Sequence, residues 1–485
     1  MKLVSTRNGS DAIEASLAIL KGIAPDGGLY VPGSFPDIDT LGQIETQSYA
    51  VLCAKVLGLF FDDIKDLQQM TKDAYASFDD KSVAPLKKIS DKEYVLELWH
   101  GPTLAFKDMA LSVLPRLMTA AMNDDKDILI LVATSGDTGK AALEGFSGVD
   151  RIKIIVFYPD DGVSDMQRLQ MVTQEGKNVH VVAVRGNFDD AQNGVKAIFN
   201  DKEFSKIIKN RGYVFSSANS INFGRLAPQI AYYIWAYAQL LLRKEITPGE
   251  KINFVVPTGN FGNILAAYYA KKMGLPVAKL ICASNKNNIL TDFFKKGEYS
   301  LNRAFYKTMS PSMDILISSN LERLLYELTG RDATAVGHMM KLLKEKGGYT
   351  IGGKARHDLE ADFYADWCDE DETMAAIKDT FNSKKYLYDT HTAVAAGVYA
   401  KYKRMGDTAK TVIVSTASPY KFPKDVLYSL GEDVRGMSGF DMAKRLSSVT
   451  GTTVPYQIDE LKTKDILHTR VVDKDALRDA VLGVL

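Results

Sequence analysis

From residue 128 onward, short continuous apolar runs alternate with longer segments whose apolar residues recur at helical spacing. The runs are "ILILVA" (128–133), "IKIIVFY" (152–158), "VHVVAV" (179–184), "YVFSS" (213–217), "INFVV" (252–256), "AKLICAS" (278–284) and "TVIVST" (411–416). They are rich in β-branched residues and lack the polar alternation of a half-exposed strand, so they predict strands buried on both faces. A further strand, "EYVLELWH" (93–100), is broken by Gly101-Pro102. The intervening segments "SDMQRLQMVTQEG", "FDDAQNGVKAIFN", "GRLAPQIAYYIWAYAQLLLRK" and "NILAAYYAKKMGLP" predict amphipathic helices, the last stopped at Gly274 and Pro276. Strand, crossover helix and strand, repeated in this way, predict an α/β fold of parallel sheets covered by helices on both faces. Ligands of such sheets bind beyond the carboxyl ends of the strands, so the loops after each strand are where chemistry is to be sought.

The remainder is patterned differently. Residues 1–92 carry helical periodicity around "SYAVLCAKVLGLFFDDIKDLQQMTKDAYASF" and predict a mainly helical N-terminal unit. Residues 93–250 are expected to form a smaller α/β lobe and residues 251–485 a larger one. The larger lobe is interrupted over about 300–385 by a charged helical insertion containing "NLERLLYELTG" and "DETMAAIKDTFN". A length of 485 residues agrees with roughly three units.

Composition acts mainly by exclusion. Hydrophobic residues at 46% and charged residues at 25% describe an ordered globular chain. The 60 Lys+Arg and 60 Asp+Glu cancel, so no global field draws nucleic acid or an anionic membrane, and an anionic ligand needs a local site. Cys53, Cys282 and Cys368 lie far apart with no CxxC pair, which predicts neither a disulfide framework nor a metal site. The N-terminus has no sustained apolar signal region and no segment is long and apolar enough to span a bilayer, so a cytoplasmic location is expected.

Five strand-end loops carry candidate chemistry. In "VVPTGNFGNILAAYY" (255–269), Gly259, Asn260, Phe261, Gly262 and Asn263 lead into a helix N-terminus, whose unpaired N–H groups favour a phosphate; the plainer alternative is a turn. In "LVATSGDTGKAALEGF" (131–146), Thr134, Ser135, Asp137 and Thr138 offer a helix cap or a carboxylate cradle, and the Walker spacing of a nucleotide P-loop is not met. Ser164 with Arg168, and Asn219 and Asn222 with Arg225, are candidate anion ligands or ordinary surface residues. In "IVSTASPYKFP" (413–423), Thr416 and its neighbouring hydroxyls either cap a helix or bond a heterocyclic nitrogen.

Lys107 stands apart from these. In "HGPTLAFKDMA" (100–110) it sits among turn formers, aromatics and small apolar residues, ahead of the predicted helix "DMALSVLPRLMTAAM". A lysine held among apolar groups loses hydration, and its amine becomes available as a nucleophile or Schiff-base partner. Such a lysine, a phosphate cup and a hydroxyl for a ring nitrogen together describe pyridoxal phosphate chemistry on an α/β scaffold.

Along nearly its whole length the chain also resembles the long bacterial and fungal threonine synthases. The resemblance is carried by "VSTRNGS", "GIAPDGGLYVP", "LELWHGPTLAFKDMA", "ATSGDTGKAALEGF", "SDMQRLQMVTQEGKNVHVVAVRGNFDDAQ", "NSINFGRLAPQIAYY", "VVPTGNFGNILAAYYAKKMGLP", "SPSMDILISSNLERLL" and "DTHTAVAAGV". It implies a fold-type II pyridoxal phosphate enzyme that converts O-phospho-L-homoserine and water to L-threonine and phosphate. It also implies that Lys107 is the Schiff-base lysine, that Gly259, Asn260, Phe261, Gly262 and Asn263 hold the cofactor phosphate, and that Thr416 faces the pyridine nitrogen. The substrate carboxylate would then fall to Thr134, Ser135, Asp137 and Thr138. Its phosphate would fall to Ser164, Arg168, Asn219, Asn222 and Arg225.

The long forms tend toward monomers and some relatives dimerise, so a monomer is expected with a dimer as the alternative. Ser418 stands where many relatives have histidine, so no imidazole role is carried to that position. His100 and His391 flank matching motifs and receive no catalytic role. A threonine dehydratase, or a phosphate-binding relative without activity, would share much of this pattern.

Overall fold

The computed structural model describes every residue except 8–11, 124, 135, 161 and 162. The apolar runs all form strands, within one or two residues of the expected ends. A six-stranded sheet runs in the order Phe363–Trp367, Val277–Ser284, Ile252–Pro257, Thr411–Ser415, Glu93–Glu97 and Leu86–Lys88. Its pairings are parallel except at the edge strand Leu86–Lys88. A five-stranded parallel sheet runs in the order Val471–Asp473, Val179–Arg185, Ile152–Pro159, Asp127–Ala133 and Tyr213–Ser216. Ile252–Pro257 and Thr411–Ser415 are buried at every position, as strands covered on both faces must be.

Two strands cross the division expected at residue 250. Glu93–Glu97, buried throughout, pairs with Thr411–Ser415 in the larger sheet. Val471–Asp473, from the C-terminal segment, extends the smaller one. The reason lies in pairing: a strand buried on both faces needs neighbours at both edges, and chain continuity does not decide which sheet supplies them. The expected insertion likewise contributes the edge strand Phe363–Trp367 to the larger sheet. In the N-terminal unit, the helices Ala15–Lys21, Tyr49–Gly58 and Leu67–Ala74 accompany a small antiparallel sheet of Ile13–Glu14, Lys2–Ser5 and Tyr30–Pro32. The helix expected after Lys107 is broken into Asp108–Leu111 and Leu114–Ala121, because Pro115 has no N–H and its ring crowds the carbonyl of Leu111.

The 20-residue helix Phe223–Leu242 is buried on nearly every face and packs against Tyr49–Gly58, Gly262–Lys272 and Asp108–Leu111. Arg323, fully buried, ties three regions together. Its Nε donates to the Tyr30 carbonyl at 2.9 Å, one Nη to the Ile221 carbonyl at 2.5 Å and the other to Asn320 Oδ1. Replacing Arg323 by methionine strands three buried acceptors, and we expect a loss of about 3 kcal/mol in urea unfolding. A loss below about 1 kcal/mol would mean that water reaches these acceptors.

Candidate active site

The turn before Lys107 is locked by Asp108. Thr103 donates to the Asp108 carboxylate from its backbone N–H at 2.8 Å and from its hydroxyl at 2.6 Å. A Cβ on Gly101 would fall 2.6 Å from the Asp108 side chain, which is why glycine stands there. Burial lifts the Asp108 carboxyl to about 6 against those two hydrogen bonds. The Phe106 N–H donates to the Thr416 carbonyl at 2.8 Å and the Ser418 N–H to the Leu104 carbonyl at 3.0 Å. Two loops far apart in sequence are thereby zipped together, with Lys107 and Thr416 side by side.

Lys107 is 11% exposed, its Nζ lying 3.7 Å from Asp137 Oδ2 and 5.2 Å from the centre of the Phe106 ring. Burial lowers its pKa against the attraction of Asp137, and the charges of Lys421 and Arg225 push it further down. Asp137 opens the helix Asp137–Phe146 and gathers groups from four parts of the chain. Lys421 Nζ lies 3.0 Å from Oδ1, Gln167 Nε2 donates to Oδ1 at 3.2 Å, and Ser312 Oγ stands 3.5 Å from Oδ2, the oxygen that Lys107 also faces. Burial alone would raise this carboxyl, but Lys421 and Lys107 hold it well below the usual carboxylate range. Gly136, with φ of 140°, lets Gln167 approach, since a Cβ there would lie 2.5 Å from its amide.

Ser312 is fixed from behind. Its N–H donates to His391 Nε2 at 3.1 Å, so that ring carries its proton on Nδ1, which faces Asp389 Oδ2 at 2.9 Å.

The loop from Ile252–Pro257 to the helix Gly262–Lys272 turns at Phe261, whose φ of 65° is unusual for a bulky residue. Its carbonyls are held outward. Ser318 Oγ donates to Gly259 O at 2.7 Å, and Asn320 donates to Asn260 O from its N–H at 3.1 Å and its amide at 3.0 Å. The Phe261 ring stacks against Phe294 and lies tilted against Phe363. The first-turn N–H groups at this helix start have no partner within the helix. Tyr232 and Tyr233 both donate to Asn263 Oδ1, leaving its buried Nδ2 without an acceptor.

Arg225 is buried in the first turn of Phe223–Leu242. One Nη donates to the Ala218 carbonyl at 2.7 Å, its Nε has no partner, and no carboxylate pairs with it among the described residues. Burial pulls its pKa down to about 10. A guanidinium kept buried without a counter-charge is costly unless an anion joins it. The helix start behind Phe261 with the partnerless amide of Asn263, and the Lys107 amine, fit the phosphate and aldehyde of pyridoxal phosphate, and the partnerless Nε of Arg225 is a further place for an anion. Thr416 is buried directly after the strand Thr411–Ser415.

The remaining expected residues divide. Thr134 Oγ accepts from the N–H groups of Gly136 and Gly139 at 3.0 and 2.9 Å, so it shapes the loop. Thr138 is partly exposed beside Asp137, and Ser135 lies outside the described residues. Asn222 caps the long helix through Gly224 N–H and spends both amide hydrogens on the Ile19 and Ser217 carbonyls, which leaves it no donor for a phosphate. Ser164 is an exposed helix cap in a reciprocal pair with Gln167, Arg168 is half-buried near the Tyr158 hydroxyl, and Asn219 is exposed. Lys421 and Ser312 were missed by sequence reasoning. Lys421, in "SPYKFP", had the same signal as Lys107: one lysine in an aromatic run just past a strand.

His100 lies at the edge of the site, with Nδ1 2.6 Å from Asp79 and Nε2 2.9 Å from Glu97. Burial works against its charge, yet the two carboxylates carry its pKa to about 9. The unfolded chain releases this proton near the ordinary 6.5, so the stabilisation, about 3 kcal/mol, is full below that pH and lost as pH rises toward 9. In urea titrations we expect His100→Gln to be weaker than the native chain at about pH 6, with the gap closing above about pH 9. A gap independent of pH would contradict the ion-pair reading.

A family model described as "Threonine synthase N terminus" matches residues 2–75, and one described as "Pyridoxal-phosphate dependent enzyme" matches residues 83–418. Human "Threonine synthase-like 1" is 40% identical over 86% of this chain, which spans 58% of that protein's length. Threonine synthase of Pseudomonas aeruginosa is 38% identical, covering 88% of this chain and 90% of its own. The crystal structure of pyridoxal phosphate-bound threonine synthase from Brucella melitensis superposes with a TM-score of 0.89 at 37% identity, over 100% of this chain and 99% of that one. The yeast threonine synthase structure gives 0.88 at 33% identity over 100% of this chain and 98% of that one. No helix among the described residues is long and apolar enough to cross a membrane. Matched by both family models, by relatives along most of its length and by solved structures over all of it, the chain belongs to the pyridoxal phosphate-dependent threonine synthase family, whose members are lyases.

Proposed function

We propose that this protein is a threonine synthase, converting O-phospho-L-homoserine and water to L-threonine and phosphate. The observation that carries the reading is a buried Lys107 amine in the same site as Arg225, a buried guanidinium with no carboxylate partner among the described residues. Bound pyridoxal phosphate would supply an aldehyde for an amine and a ring that accepts electron density. Gly259, Asn260, Phe261, Gly262 and Asn263 hold its phosphate and Thr416 its ring nitrogen; a neutral hydroxyl there holds the ring without enforcing protonation.

Lys107 Nζ moves protons at the substrate α and β carbons. Phosphate then leaves from the γ carbon, which takes up a proton to become the methyl group in place of the one lost from the β carbon, and water adds its hydroxyl at the β carbon. Arg225 binds the substrate phosphate, joined by Arg168, Ser164 and Asn219 as the lobes close. The helix start at Asp137–Phe146, with Thr138, Ser135 and the Ser312 hydroxyl beside Asp137, receives the substrate carboxylate.

The test is the stoichiometry of products from O-phospho-L-homoserine in cofactor-loaded protein. Equal threonine and phosphate are expected. Phosphate without threonine would mark an elimination enzyme, and neither product would contradict the proposal.

A further inference from the structure

Lys107 is one of two buried lysines at Asp137, and the other is more deeply buried. The Lys421 side chain is 2% exposed, and besides its 3.0 Å contact with Asp137 Oδ1 it donates to the Thr103 carbonyl at 2.8 Å. It is thus anchored both to the carboxylate beside Lys107 and to the turn that presents Lys107. Lys107 lies farther from Asp137, on the other oxygen at 3.7 Å, and is more open. The two contacts are unequal in a useful way. If Lys107 were the sole cation at Asp137, giving up its proton would leave a buried carboxylate unpaired, at high cost. With Lys421 in place, the Asp137 pair stays closed whatever charge Lys107 carries.

We propose that Lys421 is a positioning residue, the standing counter-ion of Asp137, which frees Lys107 to work as an uncharged amine. The inference rests on the reading of Lys107 as the reactive amine. The charged groups facing Lys107 are Asp137, Lys421, Arg225 and its neighbour Asp108. Of these, only Asp137 and Lys421 contact each other, so they form the unit to be perturbed. Without Lys421, the bare carboxylate would hold the proton on Lys107. Without the Asp137 charge, the Lys421 ammonium would repel it.

The full-length chain is incubated with pyridoxal phosphate and cyanoborohydride over a pH series, and label on each lysine is read by peptide mass spectrometry. Native protein should label at Lys107. In Lys421→Met the labelling midpoint should move up by about one pH unit or more, in Asp137→Asn it should move down, and the double variant should fall between. A packing role for Lys421 would not produce shifts of opposite sign. Should Lys421→Met fail to fold, the downward shift in Asp137→Asn and the position of the double variant still decide the matter.

Label at Lys107 with midpoints unmoved by these substitutions would overturn the counter-ion role alone. Label on Lys421 in place of Lys107, or none on either, would overturn the reading of Lys107 and this inference with it.

Discussion

Replacing Lys107 by alanine should lower turnover by more than about ten-thousandfold and abolish covalent capture of the cofactor, while the protein remains folded. The chemical loss follows from the burial of the one amine that, among the described residues of the site, is both partly open and without a close hydrogen-bonded partner. The fold should survive because Asp137 keeps Lys421 at 3.0 Å and Gln167 at 3.2 Å, so no buried charge is left alone. Borohydride trapping and thermal unfolding check the two halves. Retained turnover would remove Lys107 from the mechanism. Collapse of the fold would show that the Lys421 pair does not stand by itself.

Arg225→Gln should separate function from stability in a different way. Without ligand the native guanidinium is buried with no counter-charge among the described residues, so the neutral variant should melt no lower than the native chain. Affinity for the phosphorylated substrate should fall by about a hundredfold or more, equivalent to about 3 kcal/mol for a buried charge-assisted contact. KM for O-phospho-L-homoserine and the inhibition constant of inorganic phosphate should rise together, with pyridoxal phosphate affinity unchanged. If cofactor affinity fell while KM held, Arg225 would belong to the cofactor's phosphate.

Much of this architecture was legible because parallel strands buried on both faces have no polar face to interrupt them. "INFVV" and "TVIVST" therefore announced themselves, and with them the loops at their carboxyl ends. The edge strands Phe363–Trp367 and Val471–Asp473 were not legible. Each is short and polar-interrupted, and only its neighbour makes it a strand. Lys107 could be singled out from its own surroundings, whereas the groups that set its charge come from loops remote in sequence. Ser312 reaches Asp137 from the segment ahead of "SSNLERLL", pinned by a histidine on another helix, and Lys421 from beyond the last core strand. Asn222 shows the converse. Its motif matched a ligand site, but the long helix uses its side chain as a cap.

The central claim is that phosphate leaves from the γ carbon and water enters at the β carbon, at a site organised around Lys107 and Arg225. Turnover of O-phospho-L-homoserine in water enriched in the heavy oxygen isotope tests it most directly. The account predicts heavy oxygen in the threonine hydroxyl and none in the released phosphate; heavy oxygen in phosphate, with homoserine as the other product, would contradict it.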